Sequence, residues 1–254
     1  MLLTIDIGNT NIVLGVFRGE DLVAEFRLKT DLLRTVDEYC ALMLPLVERK
    51  LGKDVKWSGA VVSSVVPPLT DGIVQAVKQA FSLDCLVVGP GTKTGIAIRV
   101  DDPRAVGADR IVNSVAVKVL HGTPALVVDF GTATTIDYVS AEGNYEGGVI
   151  APGLLLSLEA LVRNTARLPR IELQWPASVI GKGTVSAMQS GTMVGYVCMV
   201  EGLIERIQRE TGKIEHLVAT GGLGGMLVQH SAVVREYDPY LTLKGLRIIY
   251  GMNR

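Results

Sequence analysis

The sequence predicts an α/β protein made of two similar halves. An apolar strand ending in Asp-x-Gly occurs twice, as Leu2-Leu-Thr-Ile-Asp6-Ile-Gly8 and as Ala125-Leu-Val-Val-Asp129-Phe-Gly131, with the same internal spacing. Each copy is followed by further strand-like runs separated by turn residues and then by helical periodicity. With 254 residues and 48% hydrophobic content, the chain has enough apolar material to bury two such cores.

The elements follow in order. Leu2 to Ile7, Asn11 to Phe17 and Leu22 to Leu28 read as three strands joined by Gly-Asn-Thr and Arg-Gly-Glu-Asp turns, an antiparallel meander. Thr35 to Leu51 has helical spacing with Asp37 and Glu38 in its first turn, and Ala60 to Val66 is a β-branched strand. Pro67-Pro68 opens a helix to about Phe81, and Cys85 to Val88 is a short strand. A helix over Ile111 to Leu120 leads to the junction of the halves at Lys118 to Thr123. The second meander continues with Thr134 to Val139 and Tyr145 to Ile150. A long helical region over Val185 to Glu210, a strand at His216 to Ala219 and a final helix from about Thr242 to Met252 complete the pattern. The expected division is 1–117 and 118–254.

Lys and Arg number 25 and Asp and Glu 26, so the net charge is −1 and no global basic field favours nucleic acid or an anionic membrane. The carboxylate of Asp6 interrupts what a signal peptide would keep apolar, so a cytoplasmic protein is expected. The uncharged stretch Gly183 to Val200 is too polar for a membrane span and reads as a buried helix. Cys40, Cys85 and Cys198 are odd in number and far apart, which predicts reduced, core-filling thiols.

Asp-x-Gly-x-Thr at a strand end suits phosphate. Glycine lets the backbone approach, amides and a hydroxyl donate to the oxygens, and the carboxylate orients a metal ion or its waters. One copy alone is also ordinary hairpin chemistry, and repetition at one spacing is what points to a ligand. Thr220-Gly221-Gly222-Leu-Gly224-Gly225, after a strand, makes a third glycine cluster on which a flat nucleoside can lie. Asp109 and Arg110 at a helix start set a carboxylate and a guanidinium beside free amides, which suits an anionic, hydroxylated small molecule. Lys182 lacks the upstream glycine of a P-loop, no Gly-x-Ser-x-Gly elbow occurs, and His121, His216 and His230 lack zinc-ligand spacing.

The order phosphate loop, phosphate loop, nucleoside loop resembles the sugar-kinase, Hsp70 and actin superfamily. Within it, Asp6-Ile-Gly-Asn-Thr, Gly107-Ala-Asp109-Arg110, Asp129-Phe-Gly-Thr132-Ala-Thr and Gly147-Gly148-x-Ile-x-Pro-Gly153 are similar, in order and over nearly the whole chain, to the motif set of the type III pantothenate kinase family. The resemblance implies duplicated ribonuclease H-like (actin-like ATPase) domains, each a mixed five-stranded sheet flanked by helices. It implies that Asp6, Ile7, Gly8, Asn9, Thr10, Asn11, Ile12 and Val13 hold the ATP phosphates together with Thr132, that Gly221 and Gly222 serve the adenosine, and that Asp6 holds Mg²⁺ through water. Asp129 corresponds to the family's ligand for a monovalent cation, K⁺ or NH₄⁺. Gly107, Ala108, Asp109 and Arg110 line the pantothenate pocket with Asp109 as catalytic base, and Thr184 falls where the family contacts substrate. Val100 stands where a tyrosine often does so, which puts that one contact in doubt. The resemblance further implies a homodimer, and the helix Gly183 to Val200 offers a surface for it. Two rival readings are a related small-molecule kinase and a non-enzymatic transcription accessory factor. The substrate-loop motif weighs against the first, and the retained acidic residues weigh against the second.

Overall fold

A computed structural model describes residues 1–254. The chain forms two compact units, one of Met1–Val119 with Tyr240–Arg254 and the other of Leu120–Pro239. Each contains a mixed five-stranded sheet.

In the first unit, strands β1 (Leu2–Ile7), β2 (Asn11–Arg18) and β3 (Asp21–Lys29) form the meander, and β4 (Gly59–Ser64) and β5 (Cys85–Val87) extend it to the order β3-β2-β1-β4-β5. β1 is central: it pairs antiparallel with β2 and parallel with β4, and Leu2, Leu3, Ile5 and Ile7 are buried. Such two-sided burial explains a near-continuous apolar run that is broken only by Thr4 and Asp6. Helix α1 (Val36–Leu51) starts on a reciprocal cap in which the Thr35 amide donates to Glu38 and the Glu38 amide to Thr35 Oγ1. It buries Tyr39, Met43 and Val47 at successive helical repeats. Helix α2 (Pro67–Phe81) uses its prolines in the first turn, where no amide is needed, and buries Leu69, Ile73, Ala76 and Val77. Helix α3 (Ala108–Leu120) buries Ile111, Val112, Val115 and Ala116.

The second unit repeats the plan. β6 (Ala125–Phe130), β7 (Ala133–Val139) and β8 (Tyr145–Pro152) form the meander, and β9 (His216–Thr220) and the two-residue β10 (Glu236–Tyr237) complete the order β10-β9-β6-β7-β8. β6 takes the place of β1, pairing antiparallel with β7 and parallel with β9. Helices α4 (Leu154–Arg163), α5 (Thr184–Gln189) and α6 (Gly195–Thr211) and the short α7 (Gly224–Val228) flank the sheet.

The structure differs from the expected division in its last helix, α8 (Leu241–Met252), which belongs to the first unit rather than to 118–254. Gly245 lies so close to the Val112 carbonyl of α3 that a Cβ would not fit, Thr242 Oγ1 donates to Asn113 Oδ1 at 2.7 Å, and Tyr250 OH donates to the Ser58 carbonyl at 2.6 Å. Leu241, Leu243, Leu246 and Ile249 are buried there, so apolar burial recruits a helix that follows the second unit in sequence. The expected buried helix over 183–200 is also revised. It is α5, a π-helical turn over Ser190–Val194 and the start of α6, and Thr184, Val185 and Ala187 are exposed. Cys198 is exposed as well, while Cys40 and Cys85 are half-buried.

Candidate functional site

Parallel pairing of β1 with β4 sets the first group of residues side by side. Asp6 aligns with Ser63 and Ile7 with Ser64, so a carboxylate and a hydroxyl stand side by side near the ends of the two strands. Ser63 Oγ donates to Asp6 Oδ1 at 2.7 Å. Beyond the strands, the Gly8 amide donates to the Asn11 carbonyl at 3.0 Å, and the Gly8 carbonyl accepts from Thr30 Oγ1 at 2.6 Å. This closes the tight turn that exposes Asn9 and Thr10. The side chains of Ile7 and Ile12 are fully buried in the core.

The segment after β4 brings the second motif alongside. The Val65 amide donates to the Ile7 carbonyl at 3.0 Å, and a Cβ on Gly107 would lie 3.4 Å from Val65 and 2.5 Å from Asp109 Oδ1. Gly107 is therefore the residue that lets the Asp109 carboxylate fold back over the start of α3, where it accepts from the Arg110 amide at 2.8 Å. Asp6 senses the charge of Asp109. Burial pushes the Asp6 carboxyl up to about 7; the Ser63 hydrogen bond opposes this and the Asp109 charge adds to it. Burial likewise raises Asp109, against the pull of the Arg110 amide and guanidinium. Val100 lies in the irregular segment between β5 and α3 and is half-buried.

The second unit builds a parallel group. The Gly131 amide donates to the Ala133 carbonyl at 3.1 Å, and the turn exposes Thr132. Asp129 aligns with Thr220 across β6 and β9, matching Asp6 and Ser63. Gly221, at φ +88°, lies against Asp129: a Cβ there would come 2.5 Å from Oδ1. The glycine loop is held from below by Tyr237, whose OH donates to the Gly221 carbonyl at 3.0 Å. Thr184 opens helix α5. It lines a cavity of about 640 Å³ with Leu154, Leu161, Met188, Thr192 and Tyr196. Tyr196 ties that cavity to the second loop, since its hydroxyl hydrogen-bonds with Thr134 Oγ1 and donates to the Pro152 carbonyl.

The predicted residues thus fall into two sets, one in each unit: Asp6 to Val13 with Gly107 to Arg110, and Asp129 with Thr132, Gly221 and Gly222. Sequence reasoning missed Ser63, Val65, Tyr196 and Tyr237. Ser63-Ser64 ends a buried apolar strand, but what ties Ser63 to Asp6 is the register of β1 with β4, which the sequence does not carry. No group of three or more His, Cys, Asp or Glu side chains gathers to hold a metal ion.

Two like-built units, each carrying an Asp-x-Gly turn at the end of its central strand, define the actin-like ATPase fold, and solved structures share it. A Campylobacter jejuni protein assigned to the Baf family of transcriptional activators aligns over 99% of this chain and 98% of its own, with TM-score 0.64 and 21% identity. The Clostridium difficile activator of 2-hydroxyisocaproyl-CoA dehydratase, with bound ADPNP, aligns over 99% and 94% with TM-score 0.54 and 11% identity. The polyphosphate/ATP-glucomannokinase of an Arthrobacter species aligns over 100% and 99% with TM-score 0.52 and 13% identity. Residues 2–206 match the type III pantothenate kinase family. A type III pantothenate kinase from an Exiguobacterium species is 47% identical over all 254 residues, covering 100% of both chains. The chain belongs to the type III pantothenate kinase family.

Proposed function

We propose that this chain is the kinase that phosphorylates pantothenate with ATP to give 4′-phosphopantothenate, the first step of coenzyme A biosynthesis. The full-length 47% identity to a type III pantothenate kinase carries this reading. The pairing of Asp6 with Asp109 supports it, because a phosphate-facing carboxylate and a substrate-facing one belong together in phosphoryl transfer.

In this reading the turn from Asp6 to Val13 and the Thr132 hydroxyl hold the phosphates, and Gly221 and Gly222 carry the adenosine. Val100, Gly107, Ala108 and Arg110 contact the pantothenate, as does Thr184. Asp109 accepts the proton of the primary hydroxyl, a role favoured by the burial that raises its basicity. The residues fit a hard cation. Two carboxylates that burial pushes toward the protonated state, Asp6 also by the Asp109 charge, are a charge site that a divalent ion relieves, and with so few acidic groups most remaining ligands would be water and phosphate oxygens. Asp6 would hold Mg²⁺ through water, and Asp129 would hold K⁺ or NH₄⁺. When bound, the ions neutralise charge on the phosphates and the transferring group.

Exposed apolar side chains on α4 (Leu155, Leu156 and the cavity-lining Leu161) and on α5 (Val185) support a homodimer through the second unit. No helix is long and apolar enough to cross a membrane; a cytoplasmic site of action is part of this reading.

The test is coupled measurement of ADP release over pantothenate, other hydroxy acids and sugars, in potassium, ammonium, sodium and Tris buffers. Turnover with pantothenate alone, restored by potassium or ammonium after dialysis into sodium, is expected. Turnover on a sugar instead refutes the substrate, and equal rates in all buffers refute the role of Asp129.

A further inference from the structure

We propose that Ser63 is a positioning residue for phosphoryl transfer, fixing the plane of the Asp6 carboxylate so that one oxygen faces the cation and phosphates. The inference rests on the reading of Asp6 given above.

The geometry begins in the strand. Ala60, Val61 and Val62 of β4 are fully buried apolar residues, and the sheet gives no reason for the run to end in a hydroxyl. Ser63 is nonetheless 0% exposed, at a depth where an unbonded hydroxyl would be costly. Its partner is Asp6 Oδ1 at 2.7 Å, a short charge-assisted distance. Parallel register makes the pairing rigid, since Asp6 and Ser63 are direct neighbours across β1 and β4 and neither backbone can slide without moving the sheet. With Oδ1 held, Oδ2 is the oxygen left to face a ligand's water.

The duplication makes the same placement twice. In the second unit the matching aspartate, Asp129, has Thr220 as its neighbour on the parallel strand, and Thr220 is 2% exposed. A buried hydroxyl residue beside each Asp-x-Gly aspartate is thus a property of the sheet edge that carries the loops. Neighbours that orient a metal-facing group commonly control affinity and rate without touching the ligand.

The experiment uses the full chain and four variants: Asp6→Asn, Ser63→Ala, Ser63→Thr and the double variant Asp6→Asn/Ser63→Ala. Mn²⁺ affinity in the presence of ADP is read by electron paramagnetic resonance, alongside kcat, KM and the melting temperature. Ser63→Ala is expected to weaken Mn²⁺ binding and lower kcat, each by about 10- to 100-fold, with KM for pantothenate unchanged. Ser63→Thr, which keeps the hydroxyl on a strand-favouring side chain, restores both. In the Asp6→Asn background, Ser63→Ala adds no further loss, because its effect runs through that carboxylate.

Additive losses, or a lowered melting temperature with Mn²⁺ affinity and kcat intact, overturn the proposal. If Asp6→Asn weakens Mn²⁺ binding and Ser63→Ala does not, the proposal alone falls. If Asp6→Asn leaves Mn²⁺ binding unchanged, the reading of Asp6 falls and takes the proposal with it. Should Ser63→Ala fail to fold, Ser63→Cys, of similar volume but a weak donor, takes its place, and wild-type Mn²⁺ affinity in that variant overturns the proposal.

Discussion

Asp109 separates chemistry from binding at the scale of single residues. Asp109→Asn keeps the side-chain size, so ATP binding is expected to persist while kcat falls on the order of 10²-fold, the lower end for loss of a general base because the transition state is loose. Arg110→Ala is expected to raise KM for pantothenate with a smaller change in kcat, through loss of a charge-assisted contact. Steady-state kinetics of the two variants check this, and wild-type turnover by Asp109→Asn at saturating pantothenate would reduce Asp109 to a helix cap. Asp6 yields a prediction about stability. Its carboxyl rises from 3.8 to about 7 on folding, so the folded state retains a proton that the unfolded chain releases. That contribution to stability is complete below about pH 4 and disappears as pH rises through about 7. Asn mimics the protonated form. In chelator-treated protein, Asp6→Asn should therefore melt close to wild type near pH 4 and several degrees above it near pH 8, as scanning calorimetry would record.

Among the elements, the glycine loop after β9 is tightly constrained. Gly221 adopts φ +88° with no room for a Cβ between Asp129 and Phe130. Gly221→Ala combines left-handed strain with a clash and should cost about 1–3 kcal/mol of stability. It should also raise KM for ATP more than KM for pantothenate, a split that initial-rate kinetics measures. Both meanders were legible in the sequence because β-branched runs alternate with glycine turns, and α1 and α2 because Thr35 and Pro67-Pro68 announce their starts. Other elements had no local signal. Gly153 caps α4 without a side-chain bond, and its Leu-rich sequence follows β8 with no polar break. β10 is two residues whose extended form is imposed by pairing with β9. The π-helical turn adds a residue to the helical repeat, which periodicity does not register. In the site, the loops were legible because glycine and aspartate have few uses at a strand end. Ser63 was not, because its meaning depends on the alignment of β1 with β4 across an intervening meander and helix.

For the whole molecule, the decisive feature is that the first unit is assembled from two separate stretches of chain. Leu243, Leu246 and Ile249 are at most 2% exposed in α8, so deletion of 241–254 should strip the face of the first sheet that this helix covers. Hydrogen exchange followed by mass spectrometry should then show protection lost throughout β1, β2 and β4, while β6, β7 and β9 keep theirs. Equal loss in both units would mean that they unfold as one. The seating of α8 also sets an order of events on the ribosome. Domains usually fold in the order they are translated. Here the segment that starts first finishes last, because β1 and β4 wait for α8, which is translated after the whole of Leu120–Pro239, whereas that stretch is contiguous and has every strand it needs beforehand. For that interval the nascent chain carries a completed second unit and an uncovered first sheet, so its exposure to chaperones and proteases is concentrated at the end that was made earliest.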